Sequence, residues 1–295
     1  MDNNPDEEPY IIITMNANGP PNYNGWRKTV LKHIVREKEP TFVLLQELPG
    51  GNADWLFVAD PDYPEFRQTY DIRSGENHSM PHILFDERDF DRLDNGNLLK
   101  NVEMPTILIS RMCLQLASRG GSQSIIIISW HGRHNRRNQT EKENEFMQLI
   151  RFVQTIRNHH HYPILLGGDF NLNIDVVETH IKHQAEDPFI LYPYIASARR
   201  ERAGVIDFFI ASSDLHLSEV HFIDTIEPYL RMSPFDHDPI EAKLEYVQPN
   251  QNVHDRNVHF EDACRICLYR RLHPNGGCED CEQCVIMNFG FMAIA

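Results

Sequence analysis

The sequence predicts an α+β sandwich, in which helices cover β-sheets whose inner faces pack together. Short runs rich in Ile, Val and Phe recur along the chain, at lengths typical of strands buried on both faces. Between them, two segments carry apolar residues at helical spacing. The chain has 295 residues, of which 41% are hydrophobic, enough for one sizeable core and an appendage. We therefore expect one main domain.

The strands are predicted from the apolar runs alone. They lie at residues 10–14, 42–45, 106–109, 124–130, 163–166, 205–211 and 219–223. Residues 48–104 are rich in Asp, Asn, Pro and Gly and contain only short apolar runs, so we expect long loops and minor strands there.

Two helices are predicted from apolar stripes. The first stripe consists of Trp26, Val30, Leu31, Ile34 and Val35, and the second consists of Phe146, Leu149, Ile150, Val153 and Ile156. The second helix is expected to open with a capping box formed by Thr140 and Glu143.

The domain boundaries follow from shifts in composition. An acidic tail (1–9) precedes the main domain (10–247), which a polar linker (248–258) joins to a Cys-rich segment (259–295). The N-terminus lacks the charged-then-apolar pattern of a secretory signal, and no apolar run approaches the roughly 18 residues of a membrane span. We expect a soluble intracellular protein, cytoplasmic or nuclear, without a membrane span.

The charge of the chain restricts its binding partners. A formal net charge of −15 argues against a strong, non-specific nucleic-acid binder, because Lys and Arg supply affinity for the phosphate backbone. It does not exclude an enzyme that must release its substrate. Arginines nevertheless cluster in two local patches, at 131–137 and 198–204, which are either solvated loops or binding surfaces.

Polar side chains follow or begin several of the predicted strands. They are Asn16, Gln46, Glu47, His131, Asp169, Asn171, Asp207, Asp236 and His237. Each taken singly is an ordinary turn residue. If they converge, however, the carboxylates repel one another and need a cation. Carboxylate and carboxamide oxygens without thiolates favour Mg²⁺ or Mn²⁺, and nearby imidazoles can accept protons and stabilise charge in phosphoryl chemistry.

The ordered motifs TMNANG, LLQE, SWHG, GGDFN, VIDFF and FDHDPI resemble those of the endonuclease/exonuclease/phosphatase superfamily, which has the deoxyribonuclease I-like fold. The resemblance spans residues 10–247. The combination of Gly-Asp-Phe-Asn with a downstream Asp-His-x-Pro is its most specific part. The resemblance implies a four-layer α/β sandwich of two packed mixed β-sheets flanked by helices, with a metal site at one end.

The resemblance also implies a role for each motif residue. Glu47 is expected to be the principal metal ligand, helped by Asn16 and Asp236. His237 would be the general base or a charge-stabilising imidazole, with Asp207 accepting its other N–H.

The remaining motif residues would act on the water and the phosphate. Asp169 would orient or deprotonate the attacking water, Asn171 would hold a phosphate oxygen, and His131 would donate to the scissile phosphate.

We interpret the chain as a Mg²⁺- or Mn²⁺-dependent phosphodiesterase, in first place a nuclease acting on DNA or RNA. The expected substrate-binding residues, taken from the two basic patches, are Arg133, Arg136, Arg137, Arg199 and Arg200. One alternative is a phosphatase or phospholipase-type hydrolase acting on a small or lipid phosphoester. The other is a non-catalytic adaptor that uses the Cys-rich segment.

The Cys-rich segment has the spacing of two zinc knuckles. The expected ligands of a structural Zn²⁺ are Cys264, Cys267, Cys278 and Cys281, with Cys284 or His273 as substitutes. The gap between the two pairs is shorter than in a usual zinc ribbon, and an unmetallated tail or disulfides are the alternatives. A zinc module could contact a protein or a nucleic acid. The sixth cysteine, Cys113, is expected in the core.

Overall fold

The computed structural model describes residues 8–18, 22, 24–48, 70–74, 81–100, 102–120, 123–134, 138–182, 189–193, 205–224 and 233–247. Within these ranges the helices are α1 (Asn24–Lys38), α2 (Gly96–Leu99), α3 (Thr106–Ile109), α4 (Gln139–His160) and α5 (Ile174–Lys182). The strands are β1 (Tyr10–Asn16), β2 (Phe42–Gln46), β3 (Tyr70–Ser74), β4 (His82–Asp86), β5 (Asp91–Arg92), β6 (Met112–Arg119), β7 (Gln123–His131), β8 (Ile164–Asp169), β9 (Ile190–Tyr192), β10 (Asp207–Ala211), β11 (Leu215–Phe222) and β12 (Ile240–Tyr246).

The described strands form two mixed sheets. The first sheet has the order β11-β12-β1-β2-β4-β3, and the second has the order β5-β6-β7-β8-β10-β9. In each sheet one central pair is parallel, β1 with β2 and β7 with β8, and the other pairs are antiparallel. A parallel pair needs a crossover, and α1 and α4 supply the two crossovers.

The layers follow from the alternation of side chains along each strand. In β2, Phe42 and Leu44 face the second sheet and belong to the core between the sheets. Val43 and Leu45 face the other way and belong to a separate core with Leu31 of α1. Residues of α4 cover the outer face of the second sheet within the larger core. The order helix, sheet, sheet, helix is the sandwich that the sequence predicts.

Both predicted helical stripes lie in helices, but the predicted cap of the second was wrong. The five residues of the second stripe are all buried. Helix α4 begins at Gln139, and its N-cap is Asn138, whose side chain accepts a hydrogen bond from the Glu141 backbone N–H. Thr140 lies inside the first turn, so it cannot form the capping box with Glu143. The same physical need, an acceptor for a free N–H group, is met two residues earlier.

Two strand predictions need correction. Residues 106–109 form the short helix α3 and not a strand, and Pro105 precedes its first turn. An apolar run of four residues does not by itself distinguish a strand from a helical turn. Within 48–104, β4 is more than a minor strand, because all five of its residues are buried between β2 and β3.

Other expectations fall inside and outside the described ranges. Cys113 is buried in the core, as expected. The Cys-rich segment, the linker and the patch at 198–204 lie outside the described residues, as do Arg136 and Arg137. In the part of the chain that the structure describes, no helix is both long enough and apolar enough to cross a membrane.

Candidate active site

The strand ends that carry the predicted site residues meet at one end of the sandwich. In the second sheet, His131 at the end of β7 is in register with Asp169 at the end of β8. Asp207, the first residue of the antiparallel β10, is also in register with Asp169. In the first sheet, Asn16 at the end of β1 lies beside Gln46 at the end of β2. Sheet pairing therefore fixes three of the site residues on one line across the second sheet.

Acidic and imidazole groups crowd at this end. Among the described residues, two sets of possible ligand atoms lie within 4.8 Å of one another: Glu47 with His131 and Asp169, and Asp169 with Asp207 and His237. Asp169 belongs to both sets. The two sheets thus contribute to a single cluster whose centre is the Asp169 carboxylate.

Asp169 is almost fully enclosed, with 1% of its surface exposed. Its Oδ2 atom accepts hydrogen bonds from the side-chain amides of Asn16 and Asn171, both at 3.0 Å, and its Oδ1 atom accepts one from the Asn171 backbone N–H at 2.8 Å. Burial, together with the neighbouring charge of Asp207, raises the pKa of Asp169 to about 6, against the lowering effect of the two histidines. When it is ionised, the Asp169 carboxylate has no fixed positively charged group among the described residues close enough to balance its negative charge.

His237 is held by Asp207. The Nδ1 atom of His237 lies 2.8 Å from Oδ2 of Asp207. A hydrogen bond from Nδ1–H to this carboxylate leaves Nε2 as the ring atom that faces the cluster. Nε2 lies 3.9 Å from Oδ2 of Asp169, too far for a direct hydrogen bond but suited to a shared oxygen atom between them.

His131 faces the same carboxylate from the other side. Its Nε2 atom lies 2.9 Å from Oε1 of Glu47 and 4.0 Å from Oδ2 of Asp169. The contact with Glu47 is short, but the oxygen lies off the N–H direction, so buried Nε2 has no aligned acceptor among the described residues. The His131 contact still lowers the pKa of Glu47, against the effect of burial. Nε2 is therefore oriented to donate to an additional oxygen atom.

Asn16 joins the carboxylates of Glu47 and Asp169. Its Nδ2 atom donates to Oε1 of Glu47 at 3.3 Å and to Oδ2 of Asp169 at 3.0 Å, whereas its Oδ1 atom accepts from the Asn18 backbone N–H. The amide orientation is assigned from these hydrogen bonds. In this orientation Asn16 bridges the two carboxylates by donation and does not present its oxygen to a cation.

Unusual backbone conformations occur at two of the site residues. Glu47 has φ +49° and Asn171 has φ +51°, in the left-handed region that non-glycine residues rarely adopt. Two glycines allow the chain to approach closely around them. A Cβ atom on Gly132 would lie 2.1 Å from the Phe170 carbonyl oxygen, and one on Gly168 would lie 1.9 Å from that of Trp130. The glycines of SWHG and GGDFN thus let the ends of β7 and β8 lie side by side.

Two other predicted site residues lie elsewhere or have other partners. Asp236 is exposed and belongs to neither of the two sets, although its backbone N–H donates to the Asn18 carbonyl near the cluster. Arg133 donates to Glu145 at 2.6 Å and to Glu141 at 2.8 Å, so its guanidinium is paired with helix α4. That pairing ties Arg133 to α4.

The sequence did not suggest two further basic residues near the site. The Nζ atom of Lys142 donates to the carbonyl oxygen of Asn171 at 2.9 Å. Arg27 of α1 is 5% exposed and donates to the Ala17 carbonyl at 2.6 Å, directly after Asn16. Lys142 lies in the first turn of a predicted helix that follows a strand-end histidine in the sequence. This position is the one signal from which the sequence could have suggested it.

The donor set fits a hard divalent cation. The carboxylates of Glu47 and Asp169 could hold it, since oxygen ligands suit Mg²⁺ or Mn²⁺ and no thiolate is near among the described residues. The buried negative charge of Asp169 gives an independent reason for a cation at this position.

Comparison with known proteins places the fold. No family model and no curated protein matches the sequence. Similar solved structures include TDP2 from D. rerio complexed with a single-strand DNA product (TM-score 0.59, 13% identity, 81% of this chain and 100% of that chain). The human Nocturnin catalytic domain with a bound sulfate anion gives a TM-score of 0.58 and 15% identity, over 81% of this chain and 95% of that chain.

A third similar structure is the Bacteroides thetaiotaomicron mannosyl-6-phosphatase Bt3783, with a TM-score of 0.57 and 14% identity, over 80% of this chain and 100% of that chain. Another match is described as an endonuclease/exonuclease/phosphatase. The chain has the deoxyribonuclease I-like fold of that superfamily, as its motifs predict.

Proposed function

We propose that this chain is a divalent-metal-dependent phosphodiesterase that hydrolyses nucleic-acid phosphodiester bonds. The observation that carries the proposal is the convergence of Glu47, His131, Asp169, Asp207 and His237, from strand ends of both sheets, on one cluster. A scaffold has no physical reason to collect these groups, because crowded buried carboxylates cost stability.

The reaction is in-line attack of water on phosphorus, in which one P–O bond forms as the bond to the leaving oxygen breaks. Asp169 orients the water and accepts its proton through a carboxylate oxygen that faces His131 and His237. His237 acts in its imidazolium form, with Nδ1–H held by Asp207, and directs Nε2–H at the reacting phosphate. It stabilises charge on the leaving oxygen and gives that oxygen the Nε2 proton as the P–O bond breaks.

His131 and Asn171 would stabilise negative charge on the non-bridging oxygens of the phosphate. His131 Nε2 has no aligned acceptor among the described residues and donates to one of these oxygens. The side-chain amide of Asn171 lies within the same hydrogen-bond network. A Mg²⁺ or Mn²⁺ ion held by Glu47 and Asp169 would supply further positive charge to the phosphate.

We favour a nucleic acid over a small phosphoester as the substrate. TDP2, one of the structural neighbours, is described in complex with a single-strand DNA product. The basic patches flank His131 and Asp207 in the sequence, where arginines would contact phosphates next to the one being cut. Another neighbour is a mannosyl-6-phosphatase, so hydrolysis of a small phosphoester is the alternative that the assay must separate.

The deciding experiment is a substrate panel of plasmid DNA, single-stranded RNA, poly(A), phosphoinositides and a sugar phosphate, each with Mg²⁺ or with EDTA. Cleavage of a polynucleotide that requires Mg²⁺ and is lost in His237→Ala is the expected result. Phosphate release from small esters alone would favour the phosphatase. No turnover of any substrate would contradict the enzymatic proposal.

A second test concerns the basic patches. Arg136→Glu reverses one charge in the patch after His131, so we expect it to raise KM for a polynucleotide more than KM for a short phosphodiester. Kinetics on the two substrates measure this. Equal effects on the two KM values would indicate that the patch is an ordinary solvated loop and not a binding surface.

We also propose that the Cys-rich segment binds one structural Zn²⁺ through Cys264, Cys267, Cys278 and Cys281, with a protein or nucleic-acid partner as its contact. Elemental analysis of the purified chain should find one zinc per molecule, lost in Cys264→Ser with Cys278→Ser. Absence of zinc from the wild type would contradict this.

A further inference from the structure

Arg27 is a buried arginine whose partners lie in the turn that follows β1. It projects from the first turns of α1 and is 5% exposed. Its Nη1 atom donates to the Ala17 carbonyl oxygen at 2.6 Å, and its Nη2 atom donates to Oδ1 of Asn24. Its buried Nε atom has no hydrogen-bond partner among the described residues. Burying a guanidinium is costly, so this placement needs a reason.

The turn that Arg27 holds is tied to three parts of the site. The Ala17 N–H donates to the Gln46 carbonyl at 2.8 Å, next to Glu47. The Asn18 N–H donates to Oδ1 of Asn16 at 3.0 Å, which leaves Nδ2 of Asn16 for the two carboxylates. The Asn18 carbonyl accepts from the Asp236 N–H at 2.9 Å, next to His237. Movement of this turn would therefore move Asn16 first.

The surrounding charges add a second reason. Burial lowers the pKa of Arg27, and the carboxylates of Asp236 and Glu47 oppose that effect, so the guanidinium lies within electrostatic reach of both. A fixed positive charge behind two acidic side chains reduces their mutual repulsion. A guanidinium also spans two acceptors at once, which an ammonium cannot do with the same geometry.

We propose that Arg27 is a positioning residue that fixes the Ala17–Asn18 turn and thereby holds the Asn16 amide between Glu47 and Asp169. The role rests on the proposed function for its catalytic consequence, but its effect on cation binding is separate. In this proposal Arg27 acts through the turn and not by direct contact with phosphate or cation.

The test is a double-mutant cycle between Arg27→Lys and Asn16→Ala, with Mn²⁺ binding to the full chain measured by calorimetry. Lysine keeps the charge and loses the two-point contact, so electrostatic repulsion of the cation is unchanged. We expect Arg27→Lys to weaken Mn²⁺ binding about tenfold, as for other residues that orient metal ligands. In the Asn16→Ala background the same change should have an effect of less than about twofold, because the two residues act as one unit.

Two controls accompany the cycle. Lys32→Arg, a charge-conserving change on the same helix, should leave Mn²⁺ binding unaltered. Arg27→Gln, which keeps hydrogen-bond donors on a shorter, uncharged side chain, repeats the cycle if Arg27→Lys does not fold. The effect of the lost charge is the same in both backgrounds and cancels in the coupling.

Two results would overturn the role of Arg27. One is wild-type Mn²⁺ affinity in the Arg27 variants, and the other is a tenfold loss that persists undiminished in the Asn16→Ala background. Phosphodiester turnover is measured in parallel. A wild-type chain that binds Mn²⁺ but cleaves no substrate would overturn the proposed function, and the binding cycle would still decide on Arg27.

Discussion

Buried carboxylates have different partners at the two ends of the sandwich. At the end opposite the site, Asp86 is 2% exposed and receives hydrogen bonds from the side chain and backbone of Arg88. Asp214 at the same end accepts from Arg157 at 2.6 Å. At the site end, the equally buried Asp169 receives only amides and faces two histidines at about 4 Å.

The difference separates charge used for stability from charge kept for chemistry. An arginine beside a buried carboxylate offsets its desolvation permanently, so such a pair fixes structure and can bind nothing else. Asp169 lacks a fixed cationic partner of this kind among the described residues. Its charge is left for a cation or a proton, which are the two species that phosphoester hydrolysis requires.

The largest expected effect comes from removing an imidazole at the site end. His237→Ala should lower kcat by about a hundredfold or more, equivalent to about 3 kcal/mol, because Nε2 no longer stabilises charge at the phosphate. The unfolding free energy should also fall by about 2 kcal/mol, because the buried Asp207 carboxylate loses its hydrogen-bond partner, so kcat is compared on fully folded protein. The matched control is His159→Ala, an exposed histidine at the far end of α4, which should retain wild-type kcat. Similar rates for the two variants would refute the comparison.

The second effect is on stability and concerns the metal-free protein. Asp169 has a pKa of about 6 in the folded state against 3.8 ordinarily, so between these pH values the folded protein binds more protons than the unfolded chain. The stability that this group contributes is full below pH 3.8 and is lost as the pH rises through about 6. We expect a loss of about 2 kcal/mol between pH 4.5 and pH 7.

Urea unfolding in EDTA at the two pH values measures this loss, with Asp169→Ala as the reference that lacks the titrating group. Added Mg²⁺ should restore stability at pH 7 in the wild type only. If both proteins depend on pH in the same way, Asp169 is not the strained carboxylate at this end.

These two predictions concern residues that the sequence itself identifies, and the reason is local. Asp169 and Asn171 follow a run of buried aliphatic residues at once, and sheet pairing then places Asp169 beside His131 and Asp207. The continuous apolar run of β2 likewise predicts a strand buried on both faces, and a core lies on each side of it. Periodicity and strand ends are properties of neighbouring residues, so a sequence reveals them.

What the sequence does not reveal depends on distant contacts. Nothing in the sequence near Arg133 distinguishes an arginine that binds phosphate from one that is paired with Glu145 in the following helix, α4. Strand β4 lies in a stretch rich in polar residues, and its burial comes from its place between β2 and β3 and from the cores on both faces of the sheet. From the sequence alone, Arg27 is expected to be a solvated position on a helix. Its burial follows only from the packing of α1 onto the turn after β1.

The third effect tests the opposite end. Arg157 is bound to the carbonyl oxygens of His161 and Tyr162 and to Asp214. Arg157→Ala leaves three acceptors without this donor, so we expect a destabilisation of about 1.5 kcal/mol and an unchanged kcat. Thermal unfolding and steady-state kinetics measure the two quantities. A large loss of kcat at full folding would mean that the two ends are coupled.

The smallest effect lies at the border of the site. Lys142 donates to the carbonyl of Asn171, whose left-handed backbone directs its side chain to Asp169. Lys142→Met keeps the apolar stem and removes the charge-assisted hydrogen bond, so we expect kcat/KM to fall about fivefold, equivalent to about 1 kcal/mol.

The substrate used separates two explanations for the Lys142 effect. Because Lys142 acts through Asn171, the loss should be equal for a polynucleotide and for a short phosphodiester. A loss confined to the polynucleotide would instead place the ammonium on a flanking phosphate. Arg151→Met, at an exposed position on the same helix, controls for the change in net charge. If Arg151→Met lowers kcat/KM as much as Lys142→Met does, the effect comes from the change in net charge. The hydrogen bond from Lys142 to Asn171 would then make no contribution of its own to the site around Asp169.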